Sequence, residues 1–161
     1  MTEPVDPDVD LSDARQRREL RRSHYRVLAA VAAGGMIGTA ARYGAALLWP
    51  TAAGAFPWTT LGVNAVGCLV IGVFLVVVSE TWTAPGWVRP FFATGVLGGF
   101  TTFSTYCVDI QRLVSAGHPG PALAYLAGTV AAALVAVTAG TWITRRVLAA
   151  GMARRAARRA R

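Results

Sequence analysis

Four apolar stretches, each close to the ~20 residues that carry a helix across a bilayer, decide most of what this chain can become. They run over 27–49, 58–79, 89–114 and 121–143. The links at 50–57, 80–88 and 115–120 are short, and each contains proline or glycine, as tight reversals between antiparallel helices require. Five tryptophans, Trp49, Trp58, Trp82, Trp87 and Trp142, fall at segment ends or in links, where amphipathic rings anchor at headgroup depth. At 161 residues the chain is one domain on length, and its 54% hydrophobic content is too apolar for a soluble one. The expected fold is an all-α integral membrane protein of four transmembrane helices, the third broken at mid-membrane.

Charge sits at the ends. All 16 basic residues are arginine; 13 lie in 15–26 or 145–161, leaving Arg42, Arg89 and Arg112 between. That is a membrane core with basic flanks rather than the basic face of a nucleic-acid binder, so no nucleic-acid partner is expected. The chain divides into a charged N-terminal tail (1–26), a transmembrane domain (27–148) and a basic C-terminal tail (149–161). Residues 1–13 are acidic, hold Pro4 and Pro7, and are predicted to be disordered; 15–26 reads as a charged helix. With six acidic and six basic residues in 1–26 and no apolar run there, no cleavable signal is expected. Four spans place both termini and the 80–88 link on one side. The two termini carry 12 arginines outside the spans, so they are predicted to face the cytoplasm. Cys68 and Cys107, both inside apolar segments, read as packing residues.

Polar groups inside a span are expensive, so each is a functional hypothesis. Arg42, in GGMIGTAARY (34–43), either snorkels to the interface or faces protein or a wet vestibule. Asn64, in PWTTLGVNAVG (57–67), is either interhelical glue or an anion-facing donor, with Thr60 one turn before it on the same face. The third segment carries GVLGGFTTFSTY (95–106): glycines, then Thr101, Thr102, Ser104 and Thr105 around Phe100 and Phe103. Glycine releases the backbone from helical angles, and Ser/Thr hydroxyls cap locally, so a helix that stops and restarts is predicted. Such a break is tolerated only in protein or beside water. It exposes carbonyls that suit a hard cation and amides that suit an anion. Asp109 is the only carboxylate within a span, with Arg112 at i+3. Tyr125 and Thr129 lie one turn apart, as a polar track or as packing. Gly34 and Gly38, and the stripe Gly128, Ala132, Ala136 and Gly140, read as close-approach interfaces, and oligomerisation is expected. No GxSxG, HExxH, Walker A or CxxC motif is present, so an enzyme is not expected.

Three motifs in order, GGMIGTAARY, TLGVNAVG and GGFTTFSTY, make residues 34–140 similar to the small fluoride channels of bacteria, the Fluc (CrcB) family. The resemblance implies a passive fluoride channel in the plasma membrane that lowers cytoplasmic fluoride. It further implies an antiparallel dimer with two pores and a structural sodium ion at the dimer centre, held by the backbone carbonyls of Gly98 and Thr101. By similarity Asn64 is the pore asparagine, Phe103 and Tyr106 the ion-facing aromatics, Tyr125 and Thr129 the start of a polar track, and Arg42 the first-helix arginine. Thr60 is grouped with the pore residues and Asp109 with a vestibule or interface.

The chain departs from the family pattern in three ways. Tyr106 stands where phenylalanine is usual, adding a hydroxyl to the pore. Ala133 and Val137 stand where hydroxyl residues are common, shortening the track. The arginine bias favours one orientation, so a paralogue of opposite orientation is an expected partner instead of, or besides, a second copy. Two rival readings are a proton-coupled four-helix exporter, which needs an early membrane carboxylate that the first segment lacks, and a non-conducting membrane assembly subunit.

Overall fold

The computed structural model describes residues 14–82 and 84–159; the 1–13 stretch predicted to be disordered lies outside the described residues. Every regular element among the described residues is helical. Helix α1 spans Ala14–Leu48, and no proline interrupts its ladder before Pro50, which also restrains Trp49. Helix α2 spans Trp58–Glu80 and starts directly after Pro57, whose carbonyl accepts from the Leu61 N–H at 3.2 Å.

The Pro90–Ser115 segment comes in two parts. Its first part, α3, is wound as a π-helix over Pro90–Leu97 and continues through one α-turn, Gly98–Phe100. Pro90 sits in the first turn, where a missing N–H costs nothing. Helix α4 follows at Ser104–Ser115. It is closed by Gly117 at φ 79°: the His118 N–H reaches the Leu113 carbonyl at 2.9 Å and the Gly117 N–H reaches Val114 at 3.0 Å. Helix α5 then runs unbroken over Pro119–Arg159.

Two helices are longer than the apolar windows that announced them. At ~1.5 Å per residue, α5 extends about 60 Å, roughly twice the hydrocarbon thickness. Alanine and arginine are both strong helix formers, so α1 and α5 continue through the basic flanks. The divisions at 26/27 and 148/149 therefore fall inside helices. Three segments among the described residues are long and apolar enough to cross a membrane: Trp58–Glu80, Pro90–Ser115 and Pro119–Ala153. Helix α1 is diluted by Gly34, Gly35, Gly38, Gly44 and Arg42.

Packing sorts the helices into pairs, α1 with α3 and α2 with α5, while α4 also lies on α5. The α1–α3 contact is backbone on backbone. A Cβ at Gly34 or Gly38 would strike main-chain atoms of Phe91, Val96 and Phe100, and one at Gly95 or Gly99 would strike Val31, Gly34 and Gly35. Gly72 and Gly140 do the same between α2 and α5. The stripes expected at interfaces are thus partly spent within the chain, whereas a Cβ at Gly128 would meet nothing within 4 Å.

The link positions follow from side-chain contacts. Arg145 Nε donates to Glu80 Oε1 at 2.9 Å, tying the basic end of α5 to the end of α2. At the opposite end Thr59 Oγ1 donates to the Trp49 carbonyl at 2.5 Å, and the His118 ring lies beside Gly54. Large apolar side chains, among them Leu134, Val135 and Phe103, face outward, as lipid or a second subunit allows and water does not.

Candidate functional site

The predicted interruption is present, and its geometry is built from local hydrogen bonds. Thr101 is extended (φ −74°, ψ 158°), with its N–H and hydroxyl both on the Leu97 carbonyl at 2.9 and 3.0 Å. The next peptide is held by α2: the Thr102 N–H donates to Asn64 Oδ1 at 2.8 Å, and Asn64 Nδ2 donates to the Thr102 carbonyl at 3.0 Å. A single side-chain amide therefore replaces the helical partners that the break removes. One turn on, Gly67 leaves the room that the Thr101 methyl fills. The Thr102 hydroxyl then accepts from the Thr105 N–H at 3.1 Å and restarts the chain as α4.

Beside this clamp lies a cleft of about 260 Å³ whose lining includes Asn64, Thr101, Phe103, Tyr106, Thr129 and Ala133, and no charged side chain. Phe103 is 77% exposed and Tyr106 only 8%. Their rings stand 5.8 Å apart, and the ladder continues from Tyr106 to Tyr125 at 5.4 Å and from Tyr125 to Phe56 at 5.4 Å. The Tyr106 hydroxyl donates to the Leu126 carbonyl at 3.0 Å, so the oxygen expected in the pore is directed into α5.

Behind the rings sit two buried hydroxyls, Tyr125 and Thr129, with no hydrogen-bond partner among the described residues. Thr60 and Thr129 stand close enough to influence the Tyr125 oxygen, but neither meets hydrogen-bond geometry with it. Thr60 instead donates to Asp109 Oδ2 at 2.8 Å. Asp109 is buried, and Arg112 approaches its other oxygen only to 3.8 Å from an exposed position. Both line a larger cleft of about 760 Å³ between the 50–57 link and α4. A polar sequence therefore runs from this outer cleft through Asp109, Thr60, Tyr125 and Thr129 to the inner one.

Arg42 lies on the α1 side of the break. Its Nε donates to the Gly99 carbonyl at 3.1 Å, with Thr39 Oγ1 at 3.4 Å from the same oxygen. The structure thus brings Asn64, Phe103, Tyr106 and Thr129 together, places Tyr125 one ring behind, and sends Thr60 with Asp109 toward the outer cleft. Cys68 and Val130 also line the inner cleft without having been singled out as site residues. The signal for Cys68 was its position one turn beyond Asn64. Thr102 was visible as part of the hydroxyl cluster, but its role as the clamped residue was not.

Comparison with known proteins bears on the whole of this region. Residues 29–141 match the family described as CrcB-like protein, Camphor Resistance (CrcB). A Streptomyces avermitilis protein described as fluoride-specific ion channel FluC 2 is 61% identical over 124 residues, 77% of this chain and 78% of the relative. Fluoride-specific ion channel FluC 1 of Streptomyces coelicolor is 63% identical over 122 residues, 76% of this chain and 79% of the relative. A Nocardia farcinica protein, fluoride-specific ion channel FluC 2, is 48% identical over 129 residues, 80% of this chain and 91% of the relative. The matched region takes in the glycine contacts, the Asn64 clamp and both clefts, and this multi-pass membrane protein belongs to the CrcB family.

Proposed function

We propose that this chain is a passive, fluoride-specific channel of the plasma membrane that lets fluoride leave the cytoplasm and so limits its toxicity. The relatives named above are channels by name, not enzymes. The observation that carries the reading is the Asn64 clamp, because it sets an amide donor and two aromatic rings around an uncharged cleft. Fluoride is small, strongly hydrated and a strong hydrogen-bond acceptor, so dehydrating it takes donors in close succession. Asn64 keeps a second N–H beyond the one given to Thr102, and ring edges at Phe103 and Tyr106 carry partial positive charge. The unpartnered hydroxyls of Tyr125 and Thr129 extend the series. Neutral donors hold an anion weakly enough to let it go, as conduction requires.

A structural sodium ion, not itself transported, fits the other side of the break. The N–H groups of Thr102 and Thr105, which in a continuous helix would close on the carbonyls of Gly98 and Thr101, are turned to Asn64 Oδ1 and Thr102 Oγ1. Gly98 and Thr101 thereby offer hard neutral oxygens of the kind such a cation takes. When bound, the ion supplies a fixed positive charge at the dimer centre.

Assembly and orientation follow the same reading. Four spans, α1 included, put both arginine-rich ends in the cytoplasm, and the Arg145–Glu80 contact supports placing the 80–88 link on that side. The exposed Phe103 ring suits a cleft completed by an antiparallel second subunit. That subunit is a second copy or an oppositely oriented paralogue; Streptomyces avermitilis has two differently numbered relatives, FluC 2 and FluC 3. Fluoride efflux from liposomes, followed with a fluoride electrode, tests the function. Efflux is expected from the purified chain or from the chain co-expressed with its paralogue. Silence from both, with sodium present, overturns the proposal.

A further inference from the structure

Two surface clefts lie end to end on α5, away from the channel cleft. One, about 470 Å³, is lined by Leu134, Val135, Thr138, Ala139 and Trp142 and is almost wholly apolar. The other, about 460 Å³, is lined by Thr138, Thr141, Trp142, Arg145, Arg146 and Ala149. Thr138 and Trp142 belong to both, so the clefts form one groove with an apolar stem and a basic head. A bilayer-length stretch of ~20 residues beginning near Pro121 ends at Thr141 or Trp142. The change from apolar to basic lining therefore falls at the level where lipid tails give way to headgroups.

The head is arranged to receive an anion. The Arg146 guanidinium stacks over the Trp142 ring at 5.1 Å, which holds it at the groove. Arg145 donates its Nε to Glu80, which fixes the side chain and leaves its terminal N–H fork for another acceptor. Thr141 is not a donor here, because its hydroxyl is spent on the Thr138 carbonyl at 2.8 Å. Glu80 opposes an anion, but two guanidinium groups outweigh one carboxylate.

The geometry points to a binding site for one anionic phospholipid on this face of α5, its phosphate between Arg145 and Arg146 and an acyl chain along Leu134, Val135 and Ala139. A free phosphate would use the same arginines but would gain nothing from the apolar stem. Each arginine at such a surface contributes ~1 kcal/mol toward an anionic headgroup, about a five-fold change in affinity.

Native mass spectrometry of the full chain in detergent tests the site, with phosphatidylglycerol, phosphatidylcholine and inorganic phosphate each added in turn. Phosphatidylglycerol is expected to form a one-lipid adduct at several-fold higher occupancy than phosphatidylcholine, and inorganic phosphate none at equal concentration. Arg146→Gln, which leaves the Arg145–Glu80 contact in place, should lower that adduct about five-fold. Val135→Trp, at an exposed position, should lower it by filling the stem. Arg158→Gln, on the same helix beyond the groove, should leave it unchanged. Equal adducts in the parent chain, Arg146→Gln and Val135→Trp would overturn the site. So would a loss as large in Arg158→Gln as in Arg146→Gln, or capture of inorganic phosphate alone. A change of subunit stoichiometry in Val135→Trp without change in lipid adducts would assign the groove to a second protein chain instead.

Discussion

Where the Pro90–Ser115 span meets α1, the contact is made by the absence of side chains: Gly34 and Gly38 lie on the main chain of Phe91, Val96 and Phe100, and Gly95 and Gly99 answer them. Where the same span meets α2, it is held by a side chain, the Asn64 amide on the Thr102 peptide. At Gly34, Gly38, Gly95 and Gly99 the first face leaves no room for a Cβ. The second leaves a cleft with donors at its edge. One segment thus carries a rigid face and a polar one, and the break lets both exist at the same depth. Close packing on α1 fixes where the break sits; the clamp on α2 fixes which groups it presents.

The largest effect expected on this comparison comes from Gly38→Val. Its side chain would strike the Val96 carbonyl and the Phe100 amide, neither of which can rotate away. A loss near or beyond the upper end of the ~1–3 kcal/mol seen for overpacking is expected, read as a fall in thermal stability of the purified chain. Next is Asn64→Ala, which leaves the Thr102 N–H and carbonyl without their partners. At ~1–3 kcal/mol for an unsatisfied buried group, moderated where the cleft admits water, about 2 kcal/mol should be lost. Stability equal to the unaltered chain would show that the clamp does not hold the break. Tyr106→Phe should cost only about 1 kcal/mol, the bond to Leu126, and should leave fluoride flux near normal because that hydroxyl points into α5. A marked change in flux would return the oxygen to the permeation path. The smallest effect belongs to Gly44→Ala. A Cβ there meets nothing within 4 Å, so the helix should be unchanged or firmer by about 0.5–1 kcal/mol in the same melting experiment.

What could be read beforehand follows the same division. The apolar segments, their links and the break were legible because each rests on local chemistry: run length, proline and glycine, and hydroxyls that cap. The Gly34–Gly38 pair was legible as a close-approach surface, but a small-residue spacing says nothing about what approaches, and here it is α3. The pairing of Thr60 with Asp109 joins residues far apart in sequence, and no spacing rule reaches that far. In the sequence, Asn64 reads equally as interhelical glue and as an anion-facing donor. The structure shows the glue directly, and the cleft beside it keeps the second role open to one amide. In the sequence the Tyr106 ring and its hydroxyl read together; only the position of α5 shows that the oxygen donates to the Leu126 carbonyl. The length of α5 was missed for a simpler reason: hydropathy marks where a membrane span ends, not where a helix does.

The most direct test of the central claim compares fluoride efflux from liposomes carrying the unaltered channel with that from liposomes carrying Asn64→Ala, at matched protein and confirmed subunit stoichiometry. If the Asn64 amide both clamps the break and faces the anion, efflux through the variant should fall to the level of protein-free liposomes while the assembly persists. Efflux through Asn64→Ala at the rate of the unaltered channel would contradict the account.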